Sequence, residues 1–123
     1  MTGFSRSVRL VHPDEYQRAL RTRPRARSSH FFCHLVPSLD QLNATGYSRL
    51  GLIVPKRMAK QAVRRNATKR IIREAFRLNQ HVLPEGDIVI RLKSPLPVVS
   101  LKQLKKLARA EVDKLFDALR REV

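Results

Sequence analysis

Acidic residues are scarce in this 123-residue chain: 10 Asp and Glu stand against 26 Lys and Arg, a formal net charge of +16. So large an excess repels itself in a compact chain and points to a polyanionic partner, nucleic acid first and an anionic membrane surface second. Cys33 is the one cysteine, so an internal disulfide is excluded, and a reducing cytoplasm suits the chain. Four scattered glycines are too few for a phosphate-cradling loop. No apolar run is long enough to span a bilayer, and the opening "MTGFSRSVRL" lacks the apolar segment of a secretion signal. Paired carboxylates, a Ser-His-Asp arrangement and metal-ligand spacing are also missing, so no catalytic residue and no metal site is expected in the chain itself. A soluble, cytoplasmic, basic protein with no membrane partner is the expectation.

What is present is enough apolar residue, 42%, for one modest core, and residues 1–123 are read as a single domain. The first ten residues read as a loose basic arm. "VHPDEYQRALR" carries a helix-entry signal, with Pro13 in the first turn and Asp14 and Glu15 where the helix dipole favours negative charge. Arginines at 21, 23, 25 and 27 around Pro24 favour an extended edge or loop. "HFFCHLV" is a strand whose period of two puts Phe31, Cys33 and Leu35 on one face, and His30, Phe32, His34 and Val36 on the other. A polar connection runs to Gly46, and "YSRLGLIVPK" is the next strand. A helix is expected from about Met58 to Leu78, then the turn "LPEGD" and the buried-type strand "IVIRL". The last helix is capped by Ser100 with Gln103 as its capping-box partner, and carries a stripe of Leu101, Leu104, Ala108, Val112, Leu115, Phe116, Leu119 and Val123. The order is α+β in a single layered arrangement.

"HFFCH" resembles a metal site only in composition. In a strand Cys33 points away from His30 and His34, and those two lie about 13 Å apart at roughly 3.3 Å per residue. Cys33 is expected in the core.

The stretch "RRNATKRIIREAFR", residues 64–77, sets six cations against one carboxylate. On a helix, Val63, Ala67, Ile71 and Ala75 stack on one side with Ile72 beside them, a face that can dock on a sheet. Arg65, Lys69, Arg73 and Arg77 stack on another, flanked by Asn66 and Arg70, as a positive ridge about 18 Å long at roughly 1.5 Å per residue. Lys56, Arg57 and Lys60 extend the charge at the amino end. Same-sign neighbours one turn apart destabilise a helix, so either solvent or a polyanion must lie against them.

"AVRRNATKRIIREAFR" resembles the signature helix of the protein subunit of bacterial ribonuclease P, an Arg-Asn-Arg core followed by Lys-Arg and Arg-Glu. Arg65, Asn66, Lys69, Arg70, Arg73 and Glu74 occupy the matching positions. "GLIVPKR" looks like the family's strand into that helix, and "LNQHVLPEGDIVIRLK" like its exit, turn and next strand, so the likeness is strong from Gly51 to Lys93. The third motif position, usually Arg, is Ala67 here, and Thr68 stands where an aliphatic residue is common; Arg64 is a candidate to supply the missing contact.

The resemblance implies a compact two-layer α+β sandwich of order α-β-β-β-α-β-α, with a four-stranded sheet and a left-handed β-α-β crossover, as in domain 2 of ribosomal protein S5. It implies that the chain binds the catalytic RNA subunit and the 5′ leader of precursor tRNA and aids removal of that leader, while the RNA performs the hydrolysis with Mg2+ held mainly by RNA and substrate. RNA contacts would fall to Lys56, Arg57, Lys60, Arg64, Arg65, Asn66, Lys69, Arg70, Arg73 and Arg77. A cleft between the first helix and the sheet would take the leader on Tyr16, Phe32 and His34, since aromatic faces accept any unstacked base; Leu20 stands where the family often has a second aromatic. No DNA partner is expected. The rival readings are a ribosomal or other structural RNA-binding protein, and a small DNA-binding protein.

Overall fold

The structure, a computed structural model, describes residues 8–37 and 47–121. The element order is α1 (Pro13–Leu20), β1 (Ala26–Arg27), β2 (Phe31–Pro37), β3 (Ser48–Ile53), α2 (Ala62–Asn79), β4 (Gly86–Leu92) and α3 (Leu101–Arg120), with a short 3-10 turn at Gln80–Val82. The strands form one sheet in the order β1-β2-β4-β3. β2 is antiparallel to β1 and β4, whereas β3 and β4 run parallel and α2 is the crossover between them.

Alternation along the strands decides the layers. Phe31, Cys33 and Leu35 of β2, with Ile88, Ile90 and Leu92 of β4, enter a main core closed by Ile72 and Phe76 of α2 and by Val112 and Phe116 of α3. The opposite parity serves a smaller core on the other face, where Val36 and Val89 meet Leu10 and Ala19, with Tyr16 and Ile53 packed against them. α1 therefore lies across the sheet from the two long helices and covers one end of that face.

Local chemistry fixes the ends. Pro13 opens α1, and the Glu15 carboxylate accepts from the backbone N–H groups of Val11 and His12 at 3.3 and 3.2 Å. Ser100 caps α3 as expected: Gln103 N donates to its hydroxyl at 3.1 Å, and Ser100 N donates to the Gln103 side chain at 3.3 Å. Gly86 has φ +136°, and a Cβ there would lie 2.2 Å from the carbonyl oxygen of Val36, so only glycine fits between the ends of β2 and β4.

Three expectations are corrected. Residues 8–10 are not a loose arm: Val8 and Leu10 are buried, Arg9 forms a parallel bridge to Leu50, and Leu10 N donates to Leu50 O at 2.9 Å. α2 starts at Ala62 rather than near Met58, because Met58 N and Ala59 N turn back to Pro55 O, both at 3.1 Å, and close a separate turn. The buried face of α2 is Thr68, Ile72, Ala75 and Phe76, while Val63 is 67% exposed. At roughly 100° per residue this turns the helix by about one residue's step from the Val63-Ala67-Ile71-Ala75 stripe. Phe76 buries more apolar area than Val63, and Thr68 Oγ1 enters the core satisfied, donating to Arg64 O at 2.9 Å. The connection through 38–46 and Val123 lie outside the described residues.

Candidate nucleic-acid interface

The rotation of α2 brings the flank bearing Lys69 and Arg73 to the edge of the sheet, with Arg73 still exposed to solvent. There the two side chains meet Arg9, Leu10, Tyr16, Leu50 and Leu52 around a cleft of about 90 Å3. Tyr16 reaches it from α1 across Gly51. A Cβ at Gly51 would lie 2.7 Å from Tyr16 Cε1, so the missing side chain is what lets the ring lie on β3. The Tyr16 hydroxyl donates to Leu10 O at 3.1 Å, which pins the ring. Burial, reinforced by the Glu15 carboxylate, pushes that hydroxyl above the ordinary phenol range against the opposing pull of a Leu52 backbone bond and Arg73. Burial and the neighbouring Arg9 guanidinium depress the Arg73 pKa, with Tyr16 opposing. Two guanidinium groups are thus held together in a cleft lined by no carboxylate, a potential that favours phosphate.

α1 is held in place from beneath. Arg49 on β3 donates from Nε and Nη2 to the buried Asp87 at 2.9 and 3.1 Å, and Nη2 also pairs with Glu15 on α1. Burial acts to raise the Glu15 pKa, yet the His12 N–H, the Arg49 hydrogen bond and the Arg49 charge outweigh it and hold the carboxyl below its ordinary value.

Beyond the end of α1 the sheet face is open and basic. Register aligns Arg27, Phe32, Arg91 and Ile53 across the four strands. Phe32 is half-buried, with the Arg91 guanidinium carbon 4.7 Å and Lys93 Nζ 4.8 Å from its ring centroid. Arg91 Nε is buried with no hydrogen-bond partner among the described residues. Arg9, Arg27, Arg91 and Lys93 are not among the RNA contacts expected from sequence, where Arg27 figures only as part of an extended edge or loop. The alternation in "IVIRLK" puts Arg91 and Lys93 on one face, but only the β2–β4 register shows that Phe32 shares it.

The residues expected to contact RNA divide into groups. Lys56, Arg57, Lys60, Asn66 and Arg70 are exposed. Lys69 and Arg73 line the cleft with Tyr16. Arg65 Nη1 donates to Ala59 O at 2.9 Å and Arg64 Nη2 to Pro97 O at 3.0 Å, so both are tied to backbone; Arg64 is not a free substitute for an arginine at Ala67. Arg77 is paired with Glu74, whose carboxyl that hydrogen bond holds below the usual range. The ridge is therefore not a uniform ladder of free cations. Phe32 belongs to the open face, but His34 is buried at 2% exposure, with Nδ1 3.2 Å from Thr22 O and Nε2 without a partner among the described residues. The segment after α1 covers it, so it offers no ring to a base. Burial and Arg91 lower its pKa against the Thr22 bond, which favours the neutral ring.

Cys33 is buried on the main-core side and His34 on the other, as strand geometry requires. Among the described residues no three His, Cys, Asp or Glu side chains gather as metal ligands, and no helix is long and apolar enough to cross a membrane.

Residues 4–120 match the family model described as Ribonuclease P. A "Ribonuclease P protein component" of Bordetella parapertussis is 44% identical over 114 residues, covering 93% of this chain and 93% of the relative. One from Vibrio campbellii is 40% identical over 117 residues, covering 95% and 88%. Among solved structures, the RNase P protein from Thermotoga maritima superposes with a TM-score of 0.63 at 27% identity, covering 92% of this chain and 96% of that one. The RNase P protein from Staphylococcus aureus has a TM-score of 0.67 at 22% identity, covering 94% and 93%, and supports the fold. With match, length and architecture in agreement, this chain belongs to the ribonuclease P protein component family.

Proposed function

We propose that the chain binds the catalytic RNA of ribonuclease P through α2 and holds the 5′ leader of precursor tRNA in the cleft and on the open sheet face. One observation carries this reading: α2 and the half-covered sheet face meet at the β3 edge, where Lys69 and Arg73 close on Tyr16 beside Arg9. Asn66 and Arg70 are exposed and continue the polar side of α2 beyond that cleft, so one helix can address more than one strand of RNA. Cations between two phosphate backbones lower the repulsion that would otherwise separate enzyme RNA from substrate. Phe32, with the Arg91 and Lys93 cations against its ring, offers an aromatic contact to an unstacked base whose phosphates those cations attract.

The chain contributes binding and orientation. Its cleft is cationic and gathers no carboxylate set, so the residues present do not fit a magnesium seat. In the proposed complex the Mg2+ of the reaction, and the hydrolysis itself, belong to the partner RNA and substrate. Holding the leader favours precursor over mature tRNA, because only the precursor has one, and so aids turnover.

Reconstitution tests the reading. Mixing the chain with a bacterial catalytic RNA and precursor tRNA at low magnesium should speed 5′ cleavage over RNA alone. A rate no faster than RNA alone overturns it, and leaves a structural RNA-binding role.

A further inference from the structure

A second groove, of about 350 Å3, lies where the turn before α2 meets the connection between β4 and α3. That volume is at the lower end of ligand-binding pockets, about 300–1,000 Å3. Met58, Leu96, Pro97 and Val99 give it apolar walls, Arg57, Lys60 and Arg64 give it charge, and no carboxylate lines it. It is braced from both sides. Leu96 N donates to Met58 O at 2.9 Å, and Arg64 Nη2 clips Pro97 O at 3.0 Å. Met58 and Leu96 also pack against the main core, so two of the walls are anchored.

The combination is selective. An apolar wall without aromatic rings or carboxylates suits the flat face of one ring system, Gln61 adds a single side-chain amide at its edge, and Arg57 and Lys60, both exposed, suit anionic groups next to it. α2 starts beside the groove with no side-chain cap and no acidic residue in its first turn, so its first N–H groups and dipole add to the positive potential. Arg64 belongs both to the groove and to α2, which makes the groove continuous with the helix assigned above to RNA.

We propose that this groove receives one unstacked base of the RNA whose backbone follows α2, with the adjoining phosphates on Arg57 and Lys60. The proposal rests on the RNA-binding reading of α2 and adds a specific seat to it. Apolar contact with the face of a base reads none of its hydrogen-bonding edges, so the seat would accept any base that the RNA can turn outward.

The full chain is titrated with a short single-stranded RNA, and with an abasic strand of equal charge, while methyl NMR follows Met58, Leu96 and Val99. The RNA should shift these methyls and bind about fivefold or more tightly than the abasic strand, which should leave them in place. Val99→Asp, which sets a carboxylate in the groove, should abolish the shift and weaken binding by a similar factor. Its backbone spectrum checks that the variant is folded. Binding that leaves the wild-type methyls unmoved, or moves them equally with the abasic strand, overturns the seat and leaves the RNA-binding reading standing. Shifts that follow protein concentration without RNA would make the occupant a second copy, and shifts induced only by an acidic, apolar peptide would make it a protein; either overturns the proposal. No binding of any RNA overturns both readings, whereas failed reconstitution with an intact methyl response overturns only the holoenzyme role.

Discussion

On the sheet face turned to α2 and α3, the strand side chains Phe31, Cys33, Leu35, Ile88, Ile90 and Leu92 are buried among apolar partners. On the opposite face α1 covers only one end, where Val36 and Val89 lie, and the other end carries Phe32 with Arg91 and Lys93. The same strands serve both faces, since each alternates residue by residue. The difference lies in what covers them: two long helices of 18 and 20 residues on one side, a helix of eight on the other. Stability is concentrated where coverage is complete, and the surface left by the short helix is available for binding.

The contrast can be broken most severely from the closed side. Phe76 is fully buried and meets Phe116 edge to face at 6.3 Å. Phe76→Ala should destabilise the fold by about 3–5 kcal/mol, read from denaturant unfolding. On the open side the balance reverses. Phe32→Ala should weaken binding of a leader-bearing strand by about 1–3 kcal/mol, with a smaller loss in unfolding free energy than Phe76→Ala. A larger stability loss at Phe32 than at Phe76 would erase the distinction between the faces.

Acid should act through the α1-covered end. His34 has a folded pKa below its ordinary 6.5, so the stability tied to its neutral form is complete above that value and is lost as pH falls through the folded pKa. Glu15, lowered from 4.5, behaves likewise at more acid pH. Urea unfolding across this range should therefore show a decline setting in below about pH 6.5, and His34→Gln should remove that upper part. The smallest effect separates two cations on one helix. Arg73→Ala should reduce the salt slope of RNA binding by roughly 0.7–0.9 for a lost phosphate contact, whereas Arg77→Ala, already paired with Glu74, should reduce it less. Equal slopes would mean that the ion pair opens on binding.

Much of this was legible in the sequence. Ser100 and Gln103 mark the start of α3 because their bonds are local, and the parity of "HFFCHLV" separates its two faces correctly. The orientation of α2 was not legible, because Val63 fits an aliphatic stripe as well as Thr68 does, and only the packed sheet selects between them. His34 was assigned to the right face but not to the right depth, since a segment distant in register, ending at Thr22, covers it. Arg91 beside Phe32 comes from strand pairing across more than fifty residues of chain, and local spacing cannot carry that information. Among the cations, the sequence shows charge but not whether a carbonyl has already claimed it, as at Arg64 and Arg65.

The bridge between Arg9 and Leu50 has a consequence for how the protein behaves in a crowd. β1 and β3 are the outer strands, and an unpaired strand margin is a template on which further chains can add. β1 offers two residues, too few to template much. β3 is longer, but Arg9 and Leu10 already run beside it and take the Leu50 carbonyl. Many copies drawn together on RNA would have their mutual charge repulsion screened by it, and at that moment a guarded margin, rather than net charge, keeps their sheets from joining.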